Sequence, residues 1–143
     1  MLFGDNRQQI RRQFIDVWTK HRLKMSLEPL EQMMANVIEQ HPEYHPLLEN
    51  PDSLEKEFLP ETGQTNPFLH MGMHIAILEQ ATTNRPDGIL DIYQHLITKS
   101  QNSHQAEHKI MECLGEALWQ AQLNNAMPNE ADYLECLRKI EKR

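Results

Sequence analysis

Six of the eight histidines fall into three H-x-x-x-H pairs: His41/His45, His70/His74 and His104/His108. His21 and His95 lie outside them. On a helix this spacing stacks two imidazoles on one face, one turn apart. A rigid helix can thereby offer two nitrogens to a single metal ion. The stretch "NPFLHMGMHIAILEQ", residues 66–80, is the sharpest case, because its histidines sit among residues that belong in a core. Burying two imidazoles there creates demand for up to four ring nitrogens. Each unmet one costs about 1–3 kcal/mol.

A helical wheel at ~100° per residue places His70 and His74 inside an apolar arc of Met73, Ile77, Leu78 and Ala81. A second arc runs through Ile110, Leu114, Ala117, Leu118 and Ala121. His104 and Met111 border that arc, and His108 lies at its rim with Trp119. Glu112 is one turn beyond His108 and adds a carboxylate, as ligand or as partner of a ligand. His41 and His45 straddle Pro42, so helical geometry does not orient them. First-choice metal ligands are therefore His70, His74, His108 and Glu112, with His104, His41 and His45 in reserve. Zinc or iron suits imidazole and carboxylate donors. The competing expectation is no cofactor at all, with each ring packed neutral against a carbonyl or carboxylate.

Other chemistries find little support. "HMGMH" lacks the glutamate of the H-E-x-x-H peptidase motif. Met71, Met73 and Met111 lie near the histidines, but methionine at helical spacing is ordinary core filler rather than a copper signal. There is no glycine-rich phosphate loop and no G-x-S-x-G elbow. Cys113 as a nucleophile would need His104 or His108 as its base, yet it falls on the opposite helix face. No pattern assigns a catalytic residue or a reaction.

The elements that must position these residues are helices. Glycine numbers only 5 in 143 residues and no alternating β-branched run occurs. Asp5 and Gln8 form a capping-box pattern before a first helix at 6–24. Ser26 and Pro29 open a second, ending near Gln40 because Pro42 disfavours helical geometry at the residue before it. Pro42 and Pro46 suit the first turn of a short helix. Residues 50–66 are the least regular stretch, a long connection of the kind that often carries function. Asn66 with Pro67 starts the histidine helix, which runs to about Thr83. Asp87, Ser103 and Asn129 cap helices at 88–99, 104–125 and 130–141. The expected fold is all-α: one domain over 1–143, an antiparallel bundle of about six helices with mostly short loops. Its core is expected from Phe14, Val17, Trp18, Val37, Ile38, Met73, Ile77, Leu78, Leu90, Tyr93, Leu96, Ile110, Leu114, Leu118 and Leu137.

A chain of this size buries about 70% of its unfolded surface and needs no disulfide to fold. Cys113 and Cys136 are expected as free, half-buried thiols, each within an E-C-L tripeptide on an amphipathic helix. The opening "MLFGDNRQQIRRQF" has three apolar residues before charge takes over, so no secretory signal is expected. No apolar run approaches a membrane span of ~18 residues. A cytoplasmic location follows as the expectation. Net charge is −7 but uneven. Arg7, Arg11, Arg12, Lys20, Arg22 and Lys24 against Asp5 and Asp16 make residues 1–24 basic. Residues 25–66 carry nine acids against Lys56. Neutralising that neighbour is the plainest use of the first helix. Binding RNA through Arg7, Arg11, Arg12, Lys20 and Arg22 is the further alternative, which the acidic remainder disfavours.

The segments "HPEYHPLLE", "GQTNPFLHMGMHIAILEQ", "HKIMECLGEALWQAQ" and "YLECLR", with "VWTKHR" and "LEPLE", resemble a bacterial family catalogued as domain of unknown function 1841. The resemblance covers nearly the whole chain. It implies a small bacterial cytoplasmic protein with one helical domain, and it transfers no activity. The functional expectation is a helical bundle binding a divalent metal through histidine pairs on facing helices. Its rival is a non-catalytic interaction or structural module with packed core histidines, binding a protein partner or a second copy of itself.

Overall fold

The structure, a computed structural model, describes residues 7–56, 58 and 66–142. The chain is all-α, with no strand among the described residues. Among the described residues seven α-helices follow in order: α1 Arg7–Arg22, α2 Pro29–Glu39, α3 His45–Leu48, α4 Pro67–Thr83, α5 Ile89–Ser100, α6 Ser103–Leu123 and α7 Glu130–Glu141. Two short 3-10 helices, Pro42–Tyr44 and Pro51–Leu54, flank α3. Contacts divide the chain into two compact units, Met1–Ile75 and Ala76–Arg143, the division falling within α4.

In the first unit, α1 packs on α2, on α3 and on the 3-10 helix at Pro51–Leu54. Phe14, Val17 and Trp18 of α1 are buried, as are Met34, Ala35, Val37 and Ile38 of α2. Pro29 supplies the first turn of α2, and the Glu31 carboxylate accepts the Glu28 backbone N–H at 3.0 Å. Glu28, not Ser26, therefore stands at the cap. The proposed cap at Asp5 lies outside the described residues. The basic face of α1 turns towards acids of its own unit. Lys20 pairs with Glu31 at 2.8 Å, His21 with Glu39 at 2.7 Å and Arg22 with Glu49 at 3.7 Å. The hydrogen bond to Glu31 holds the Lys20 ammonium above its usual range. The Glu28 backbone N–H, then Lys20, hold the Glu31 carboxyl below its own.

Arg11 is the exception on that basic helix. Its side chain is 1% exposed. Nη1 donates to the carbonyls of Ser53 (3.1 Å), Leu54 (3.3 Å) and Lys56 (2.7 Å). The guanidinium also lies 4.9 Å from the Phe68 ring centre and 5.4 Å from that of Phe58. Carbonyls at the end of a short helix lack internal donors and favour a cation. Arg11 supplies both, and its planar group also suits aromatic faces. What resembles an irregular stretch in the sequence is thus folded back on α1 through residue 56. The rest of the expected connection at 50–66 lies mainly outside the described residues.

In the second unit, α5, α6 and α7 pack on one another in all three pairings. Ile89, Ile92, Tyr93 and Leu96 of α5, Ile110, Met111 and Leu114 of α6, and Tyr133, Leu137 and Ile140 of α7 are buried. Asn caps are prominent. Asn102 Oδ1 accepts from Gln105 N, and Asn129 Oδ1 accepts from Asp132 N. Asn102, one residue before Ser103, therefore caps α6. At α5 the expected Asp87 cap is replaced by Asn84, whose Oδ1 takes the N–H groups of Gly88 and Leu90, each at 3.1 Å. Gly88 adopts φ +99°, which a side chain would resist.

Cys113 and Cys136 are not free thiols. They form a disulfide joining α6 to α7, with Cα atoms 5.8 Å apart. The two E-C-L tripeptides sit on helices that pack together, which puts their cysteines opposite each other. Beyond Leu114, α6 buries no further residue. Leu118, expected in the core, is half-buried, and Trp119 is 54% exposed.

Replacing Arg11 by Met leaves three carbonyls without their donor. The expected loss is about 3 kcal/mol in urea unfolding, against under about 0.5 kcal/mol for the exposed neighbour Arg12→Met.

Candidate metal centre

His41 follows Gln40, the C-terminal cap of α2, where Pro42 forces the chain off the helical path. The residue is 3% exposed. Its Nδ1 lies 2.7 Å from the Val37 carbonyl oxygen. A carbonyl only accepts, so Nδ1 carries the proton and the lone pair resides on Nε2. Metal-binding histidines use the same arrangement: one nitrogen is anchored on a backbone oxygen and the other is left with its lone pair. The Tyr44 ring stacks on His41, 5.3 Å away and 4° from parallel.

The start of α4 is set by Asn66, whose Oδ1 accepts from Phe68 N and Leu69 N at 3.0 and 3.2 Å. Pro67 occupies the first position, as expected. The helix then presents His70 and His74 one turn apart, with ring centres 5.0 Å apart. The His41 ring comes to 5.1 Å from His70 and 4.9 Å from His74. Three imidazoles therefore cluster inside the first unit. His74 is fully buried, while His70 is half-buried.

His45 is not part of that cluster. It stacks on Trp18 at 4.2 Å, and its Nε2 donates to the Ile38 carbonyl at 2.9 Å. Trp18 in turn donates its indole N–H to Glu49 at 3.2 Å.

In the second unit, α6 carries His104 and His108, both half-buried, with ring centres 4.2 Å apart. Glu112, one turn on, is exposed. Glu107 is the acid of α6 that the fold buries, at 2% exposure. It accepts the Tyr93 hydroxyl at 2.8 Å. Burial and this carboxylate together push the Tyr93 phenol well above its ordinary range. Reasoning from sequence missed this pair. The signal was present, since Glu107 shares the register of Ile110 and Leu114 at i, i+3 and i+7.

The first-choice ligands His70 and His74 thus meet the reserve His41 within the first unit, whereas His104, His108 and Glu112 belong to the second.

The remaining sequence candidates resolve simply. Cys113 is in a disulfide and offers no thiolate. Of the proposed RNA-binding residues, Arg11 is buried, Lys20 and Arg22 face acids, and the Arg7 side chain lies outside the described residues. Among the described residues no helix is long and apolar enough to cross a membrane.

A family model for a domain of unknown function, DUF1841, matches residues 6–139. The chain belongs to this family. No curated protein and no solved structure matches it. The DUF1841 description carries no activity, so the geometry of the histidines is the available guide to function.

Burial raises the Tyr133 phenol as well as that of Tyr93. A phenol pKa raised in the fold contributes stability that is complete below the unfolded value of about 10 and is lost as pH rises further. Ultraviolet titration should show both residues ionising above pH 10 in native protein. In denaturant both should ionise near 10, with unfolding favoured at the alkaline end.

Proposed function

We propose that this protein binds one divalent transition-metal ion through His41, His70 and His74. The observation that carries the reading is the convergence of these three rings in the first unit, with centres 5.1, 4.9 and 5.0 Å apart. Two further features support it. The Val37 carbonyl anchors His41 through Nδ1, the arrangement usual for metal-binding histidines. His74 is fully buried, where a coordinated ring replaces lost hydration.

Neutral imidazoles make zinc the best-matched ion, because it accepts tetrahedral nitrogen ligation without geometric preference of its own. Iron is the second choice, since it commonly takes carboxylate as well. Three imidazoles leave the fourth tetrahedral position to a further ligand or water. The ion would add directly to folding free energy.

Packed core histidines are the competing reading, favoured by the backbone bonds of His41 and His45. One experiment separates the two. Protein purified without a histidine tag is analysed for metals and melted with and without a chelator. Near-stoichiometric zinc or iron, a lowered melting temperature on chelation, and loss of the metal in His74→Ala support the site. His45→Ala should keep the metal. Binding should also weaken on acidification, because ligation needs deprotonated rings. Metal-free protein whose melting ignores both chelator and added zinc overturns the proposal.

A further inference from the structure

The Cys113–Cys136 bond is asymmetric in its exposure. Cys113 is 1% exposed, whereas Cys136 is half-buried on α7. Thiol–disulfide exchange requires a thiolate to approach one sulfur, and access decides which. Of the two residues, Cys136 is therefore the one a small thiol from solvent meets. We propose that Cys136 is a thiol–disulfide exchange site for low-molecular-weight thiols, with Cys113 as its buried resolving partner.

The chemistry balances without any further reagent. An incoming thiolate attacks Cys136 Sγ, and the bond to Cys113 Sγ breaks. Its electron pair leaves on Cys113, which takes up a proton. The product is a mixed disulfide at Cys136 and a free thiol at Cys113. Attack by Cys113 on Cys136 then expels the small thiol and restores the original bond. Alternatively, a second small thiol attacks the mixed disulfide at its own sulfur. That releases the oxidised small disulfide and leaves both cysteines reduced.

The fold keeps the two sulfurs together throughout. Tyr133, Leu137 and Ile140 bury one face of α7 through contacts that do not involve the sulfurs. Tyr133 donates its hydroxyl to Gln80 at 2.7 Å. At the far end of α7, Lys99 Nζ donates to the Glu141 carbonyl at 2.6 Å, and His95 contacts the Glu141 carboxylate at 2.7 Å. The helix thus stays docked when the covalent link opens, and reclosure is an intramolecular step. The exchange is therefore a reversible modification of folded protein and is independent of the histidine site.

The test uses full-length protein and glutathione. Unreduced protein, treated with oxidised glutathione and blocked with an alkylating agent, should yield the cross-linked Cys113–Cys136 peptide. After brief exposure to reduced glutathione and acid quenching, the mixed disulfide should map to Cys136. Cys113→Ser should be glutathionylated by oxidised glutathione about tenfold or more faster than Cys136→Ser in native buffer, and at an equal rate in urea. If a serine variant fails to fold, mapping the quenched wild-type protein decides alone. Glutathione found on Cys113, equal native rates for the two variants, or no cross-linked peptide after oxidation overturns the proposal.

Discussion

A carbonyl oxygen can only accept, so the 2.7 Å contact from Val37 fixes the proton of His41 on Nδ1. That bond constrains everything at the histidine cluster. It orients the ring and sets its tautomer. It exists because Pro42 stops α2 and alters the donors of its last turn: the Val37 carbonyl accepts the Gln40 N–H at 3.1 Å and the His41 ring N–H at 2.7 Å. The termination of a helix and the orientation of an imidazole are here the same event. The partner rings on α4 are set by an equally local device, the Asn66–Pro67 start that determines where His70 and His74 emerge.

Buried polar groups recur in both units, and each answers a particular backbone or side-chain demand. Arg11 serves three carbonyls beside a 3-10 helix. Glu107 takes the hydroxyl of Tyr93 inside the second unit. Such groups are costly when unpaired and informative when paired, because their partners must be placed within a few tenths of an ångström. The first unit is accordingly organised around one cation and three imidazoles. The second is organised around apolar stripes, a carboxylate–phenol pair and a disulfide.

Much of the helical order could be read from local chemistry. Asn66 with Pro67 and Asn129 marked their helices within a residue, because a cap and a proline act on adjacent backbone. Caps were misplaced where a side chain reached further. Asn84 serves Gly88 and Leu90 across a turn, and nothing at Asp87 itself announces that. The core of α4 was misjudged for a different reason. Apolar residues surround most of that helix, so a wheel finds no sharp arc. Met73 and Leu78 prove half-buried, while Met71 and Ile75 are fully buried. Arg11 was unreadable as a core residue, since its neighbours Arg7 and Arg12 give it the company of a solvated basic face.

By itself the sequence determined that the chain is helical, where most helices begin and which histidines share a helix face. Those properties depend on residues a few positions apart, and the helical repeat relates them directly. Only the tertiary structure decided that His41 joins His74 while His45 turns to Trp18, that Cys113 meets Cys136, and that Arg11 is buried. Each of these depends on how helices far apart in sequence rotate against one another. A rotation of a few tens of degrees changes the partner without changing any local preference.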